Sequence, residues 1–137
     1  METKFNSQIC TTREQSERLL ALGLKKETAD MCWLNYALTG DYDDWRPVPI
    51  YVDWEGWQEG GIPAWSLHRL IKMIPQTIGH LELAVNDEFV GYYENRCESE
   101  TGIYWEHTEE SNNLYDNIIS TIEWLIKEGY FNKEYLV

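Results

Sequence analysis

The sequence predicts an α+β fold, an antiparallel sheet of about five short strands with about three helices packed on one face. Three observations carry that expectation. Leu114, Ile118, Ile122 and Leu125 recur at helical spacing, and Ile119 and Ile126 widen the stripe. Leu81, Leu83 and Val85 alternate with Glu82 and Ala84 at period two, as in a strand with one buried face. N-cap residues open the helical stretches, and Gly23, Pro75 and Gly129 close them. The chain has 137 residues, 43% of them hydrophobic. That suffices for one core, so a single domain over 1–137 is expected.

The elements follow in order. Thr11 and Thr12 are N-cap types with Glu14 and Gln15 three residues on, and Gly23 supplies a left-handed stop, so residues 12–22 read as a helix. Lys25 to Asp30 allow another helical turn. Met31 to Tyr36 have the apolar and aromatic density of a short strand. Residues 39–63 are punctuated by Gly40, Gly56, Gly60, Gly61, Pro47, Pro49 and Pro63, so long elements are excluded and Ile50–Val52 is the one strand expected there. Ser66 caps a helix whose stripe is Leu67, Leu70, Ile71 and Ile74, ended by Pro75. A turn at Asn86-Asp87 sets Leu83 opposite Val90 and Leu81 opposite Tyr92. A further strand runs from Gly102 to His107. Ser111 or Asn112 caps the last helix, and Gly129 stops it.

The charge is lopsided: 24 acids against 11 bases give −13. Direct binding to nucleic acid or to an anionic membrane needs clustered Lys and Arg, and neither is expected here. The acids are also regional. Residues 41–60 hold six acids and one base, and residues 94–110 hold six and one, so these two stretches carry −10 of the −13. The first is rich in aromatics as well. Asp41, Asp43, Asp44, Trp45, Asp53, Trp54, Glu55 and Trp57 are therefore the candidate partner-binding residues, within an acidic, Trp-rich irregular segment at about 39–63. The same tryptophans could instead pin the segment to the core, leaving the carboxylates as a solvated rim. On the sheet face away from the helices, Ala84, Phe89, Tyr93 and His80 are expected together with Tyr104. That face is either covered by the 41–60 segment or open as an aromatic patch.

Catalytic signatures are missing: the sequence has no GxSxG, P-loop or GxGxxG. His68, His80 and His107 are scattered and belong to no HExxH or CxxC pattern. His107 with Glu106, Glu109 and Glu110 is the nearest approach to a metal-ligand set, and Cys97 with His107 the nearest to a nucleophile and base. Neither has a supporting signature, so no catalytic residue, metal or cofactor is expected. The cysteines, Cys10, Cys32 and Cys97, are odd in number, which suits a reducing compartment. No stretch is an apolar signal core or a membrane span, so a cytoplasmic location is expected.

Three stretches carry a resemblance: Ile9 to Leu24 running into Thr28–Met31, Ile62 to Leu67, and Trp124 to Gly129. Through them the chain resembles small proteins of unassigned function encoded in prophages and mobile elements of Bacteroides-type gut bacteria. The resemblance implies a phage or mobile-element origin and carries no activity or site residue with it. The expected function is that of a small acidic binding protein without catalysis. Its partner is a protein with a basic surface, and inhibition of a host nucleic-acid-handling enzyme through acidic surface mimicry fits both charge and origin. Self-association through the aromatic face into a homo-oligomer is a further expectation to test. The alternative is a carbohydrate-binding module or small sugar-processing protein that uses Trp and carboxylate contacts.

Overall fold

Local signals in the sequence place the first elements directly. In a computed structural model describing residues 7–50, 56–96, 100 and 102–137, helix α1 spans Arg13–Ala21. Thr12 Oγ1 accepts the Gln15 N–H at 3.1 Å and Gln15 Oε1 accepts the Thr12 N–H at 2.9 Å, the reciprocal capping box. A 3-10 turn at Lys26–Thr28 leads into strand β1, Met31–Asn35. Strands β2 (Trp45–Pro49) and β3 (Ile62–Ala64) pair antiparallel on either side of β1. Pro47 and Pro49 stand opposite Trp33 and Met31, and Pro63 opposite Cys32. The central strand has no proline and both edge strands have them. An edge strand can lose an outward N–H without breaking a ladder. Treating these prolines as breakers therefore misplaces the strand. Pairing runs over Trp45–Pro49, and of the expected Ile50–Val52, Tyr51 and Val52 lie outside the described residues.

The chain divides into two compact units, Met1–Arg69 and Leu70–Val137. In the first, α1 packs on β3, and Leu19, Leu24, Cys32, Ala64 and Trp65 are buried. Among the described residues its buried polar side chains have hydrogen-bond partners. Trp65 N–H donates to Thr11 Oγ1 at 3.1 Å, Thr11 N–H returns to Trp65 O at 2.9 Å, and the Trp65 indole donates to Thr28 Oγ1 at 3.0 Å. Asp30 accepts the Ser66 N–H at 2.8 Å, and Ser66 Oγ in turn accepts the Arg69 N–H at 3.2 Å. Ser66 thus caps helix α2, Leu67–Met73, as its position predicts.

The second unit holds a four-stranded antiparallel sheet in sequence order: β4 (Thr77–Ile78), β5 (Leu81–Asn86), β6 (Phe89–Asn95) and β7 (Ile103–Glu110). Helix α3, Leu114–Glu128, lies on β6 and β7. Ile118, Ile119, Ile122 and Leu125 are fully buried with Val90 and Tyr92. The cap is Asn113, whose side chain accepts the Asp116 N–H at 3.0 Å, and not Ser111 or Asn112. Ser111 instead donates to Asn117 Oδ1 at 2.7 Å. Gly129 closes the helix at φ 82°, in the left-handed region that lets Tyr130 N–H reach back to Leu125 O.

The α+β class holds, but the expected single sheet is two, of three and four strands. The short strands β3 and β4 carry too few residues to show a period. The hairpin also turns one residue later than expected, at Asp87-Glu88, because Asn86 Oδ1 accepts the Glu88 N–H at 3.0 Å and acts as first residue of the turn. Leu83 then faces Tyr92 and Val85 faces Val90. Moving the turn by one residue shifts the partners by two, so each side chain keeps its face. Among the described residues no helix is long and apolar enough to cross a membrane.

Candidate functional site

Half of the candidate segment is structural. Asn35, at the end of β1, organises the loop 36–44 from its base. Its Oδ1 accepts the Ala37 N–H at 3.0 Å and the Asp44 N–H at 2.9 Å, and its amide donates to Asp43 Oδ1 at 3.2 Å. Tyr36 N–H closes the loop on Asp44 O at 2.8 Å. Asp44 takes both ends of the Arg46 fork, at 3.2 and 2.8 Å, and that guanidinium lies over the Tyr36 ring at 5.1 Å. Trp45 is half-buried with Arg13 over its ring at 5.1 Å. Trp57, expected as a contact residue, is only 5% exposed and presents no face to a partner. Asp53, Trp54 and Glu55 lie outside the described residues.

The large side chains that the loop presents, Tyr36, Leu38 and Tyr42, were not among the candidates, although Asp41 and Asp43 beside them were. Leu38 is 94% exposed, Tyr42 57% and Tyr36 46%, with Asp41 and Asp43 exposed beside them. Below Tyr36 a hollow of about 370 Å³ is lined by Leu34, Asn35, Tyr36, Glu59 and Gly60. The signal was available in the sequence: a lone leucine in a turn segment, Ala37-Leu38-Thr39-Gly40, has no period to bury it.

In the second unit the register sorts the sheet's residues onto two faces. Leu83, Val90 and Tyr92 lie on the helix side, where the Trp124 ring stacks on His107 at 4.3 Å and 12°. The Tyr92 hydroxyl donates to Pro75 O at 2.7 Å, and burial holds its pKa far above the usual tyrosine value. The opposite face carries Phe89, Tyr93 and Trp105. Their rings form a row, Phe89 edge-on to Trp105 at 4.9 Å and Tyr93 tilted to Trp105 at 5.2 Å. Gly91 makes the row possible: a Cβ there would meet the Phe89 ring at 2.8 Å and His107 O at 2.9 Å. Of the expected patch, Ala84, Phe89 and Tyr93 are on this face. His80 sits in the turn before β5, and the bulge in β7 between Trp105 and His107 sends Tyr104 to the other face, opposite Glu94. Glu82 accepts the Tyr93 hydroxyl at 3.1 Å, and that hydrogen bond, followed by the carboxylate charge, raises the phenol's pKa.

His107 Nε2 lies 3.1 Å from Glu109 Oε1 but off the hydrogen-bonding direction, so it has no hydrogen-bond partner. Glu110 is on the opposite sheet face, and Glu106 hydrogen-bonds Tyr104. Among the described residues no three His, Cys, Asp or Glu side chains converge on a possible metal position. Cys10 and Cys32 are buried free thiols. Burial first, then the Asp30 charge, pushes Cys10 up to about 11, and burial raises Cys32, so both stay protonated and are poor nucleophiles at neutral pH. Cys97 lies outside the described residues. No protein-family model matches the chain, and neither a curated protein nor a solved structure matches it.

Proposed function

We propose that this chain is a non-catalytic binding protein that docks on a basic protein surface through the loop between β1 and β2. One observation carries the reading. The loop holds Leu38, Tyr36 and Tyr42 out to solvent with Asp41, on a base that Asn35 pins with three hydrogen bonds. Exposed large apolar groups are a standing cost unless something covers them, and a pinned loop loses little entropy on docking. The adjoining carboxylates and the net charge of −13 select for a cationic partner. Resemblance to mobile-element proteins supports a host nucleic-acid-handling enzyme as the target, its basic groove occupied by acidic mimicry.

The test is retention from a bacterial lysate on immobilised protein, washed at low and then high salt, with a Leu38→Ser/Asp41→Asn variant in parallel. A basic nucleic-acid enzyme held by the wild type, released by salt or duplex DNA and not held by the variant is the expected result. Equal retention by the variant, or no retention, overturns the reading.

A further inference from the structure

The four-stranded sheet carries a second surface, independent of the loop. Strands β5, β6 and β7 together contain five glutamates and neither Lys nor Arg. On the face turned away from α3, the row Tyr93–Trp105–Phe89 runs across Gly91, and Trp105 keeps 40% of its surface exposed. Carboxylates stand at both ends of the row: Glu82 opposite Tyr93, and Glu110 opposite Phe89. At the Phe89 end the face opens into a hollow of about 550 Å³ lined by Asn86, Asp87, Glu88, Phe89, Glu110 and Ser111 among others. Its walls offer three carboxylates and an aromatic edge, and among the described residues no Lys or Arg lines it.

We infer that this face is a binding site for an extended, arginine-bearing segment of a partner protein. One guanidinium enters the hollow between Asp87, Glu88 and Glu110, and a neighbouring one lies over Trp105. The chemistry is complementary at each point. A planar guanidinium donates bidentately to carboxylates and stacks on aromatic rings, whereas an ammonium does only the first as a point charge. Alternate side chains of an extended segment point to one side, which matches a row that runs along β6, with Trp105 of β7 beside it, toward a pocket at the Phe89 end.

The probe is a short synthetic peptide of alternating arginine and threonine, titrated calorimetrically and by amide chemical shifts into the whole protein, beside its citrulline counterpart. Shifts along β6 and β7, binding by arginine at least about tenfold tighter than by citrulline, and a loss of about tenfold in Trp105→Ala are expected. Glu88→Gln/Glu110→Gln changes only surface charge, guards against misfolding of the tryptophan variant, and should weaken binding about tenfold at low salt. Leu38→Ser/Asp41→Asn should leave peptide affinity unchanged, which separates this site from the loop. Equal affinity for the citrulline peptide, equal affinity in the surface-charge variant, or no binding overturns the inference. So does Trp105-dependent binding of a neutral oligosaccharide where the arginine peptide fails, which would assign the face to carbohydrate.

Discussion

The two sheets use the same residue types to opposite ends. At the base of the loop between β1 and β2, and in the turn that follows β2, acids and aromatics have partners within the chain: Asp44 holds Arg46, Asp43 holds Asn35, Trp45 lies under Arg13, and Trp57 is buried, so that only the loop's tip around Leu38, Asp41 and Tyr42 stands open. Across β5, β6 and β7, the outer-face glutamates find no Lys or Arg on their own strands, and the rings of the aromatic row pack on one another while Trp105 stays 40% exposed. The lesson is that acid interleaved with tryptophan is not in itself a surface motif. What matters is whether the chain supplies the countercharge and the lid.

The sharpest way to break that contrast is to truncate one tryptophan of each kind. Trp57→Ala should cost about 3–5 kcal/mol in urea unfolding, as for a large buried aromatic. Trp105→Ala should cost no more than about 1 kcal/mol. Equal costs would erase the distinction between the regions.

Alkaline titration comes next. The buried Cys10 thiol keeps its proton in the folded chain up to about pH 11, while the unfolded chain releases it near pH 9. The unfolded state therefore binds fewer protons in that window, and stability falls as pH rises through it, by on the order of 2 kcal/mol. Stability monitored against pH should flatten over this range in Cys10→Ala, and an unchanged slope would show that Cys10 is not buried as described.

Tyr92→Phe removes a buried hydroxyl and leaves Pro75 O without its donor, an expected loss of about 1 kcal/mol at neutral pH. The raised tyrosine pKa has the same sign as the thiol's. Stability falls above about pH 10, and the phenylalanine variant should lose that part of the fall. A variant as stable as the wild type at neutral pH and equally alkali-sensitive would remove Tyr92 from the buried set.

The smallest effect sharpens the comparison without breaking it. Asn35→Ala should lower global stability by no more than about 1 kcal/mol, because its bonds are exposed. It should still speed hydrogen exchange at the Ala37 and Asp44 amides selectively. Uniform acceleration across the first unit would mean that the loop is not a separately pinned element.

Much of the fold is legible in local sequence. Helix α3 is the clearest case, since stripe and stop lie within one short stretch, and only its cap is displaced to Asn113 because Ser111 bonds Asn117 across one turn. The proline-bearing strands were not legible, since proline's penalty depends on whether its N–H faces a neighbour strand or solvent. The site was half legible. Phe89 and Tyr93 follow from period two, but Trp105 joins them only because β7 bulges before His107. Trp57 could not be told from an exposed tryptophan, because burial is a property of its neighbours.

By itself, the sequence determined the α+β class, the positions of the three helices and the regional acidity, because periodicity, caps and charge are written over spans of a few residues. Only the tertiary structure decided that there are two sheets and which aromatics are sealed away. It also decided which carboxylates have partners. Those outcomes depend on contacts between residues far apart in the chain, such as Trp65 with Thr11 and Thr28, and no local pattern encodes such a contact.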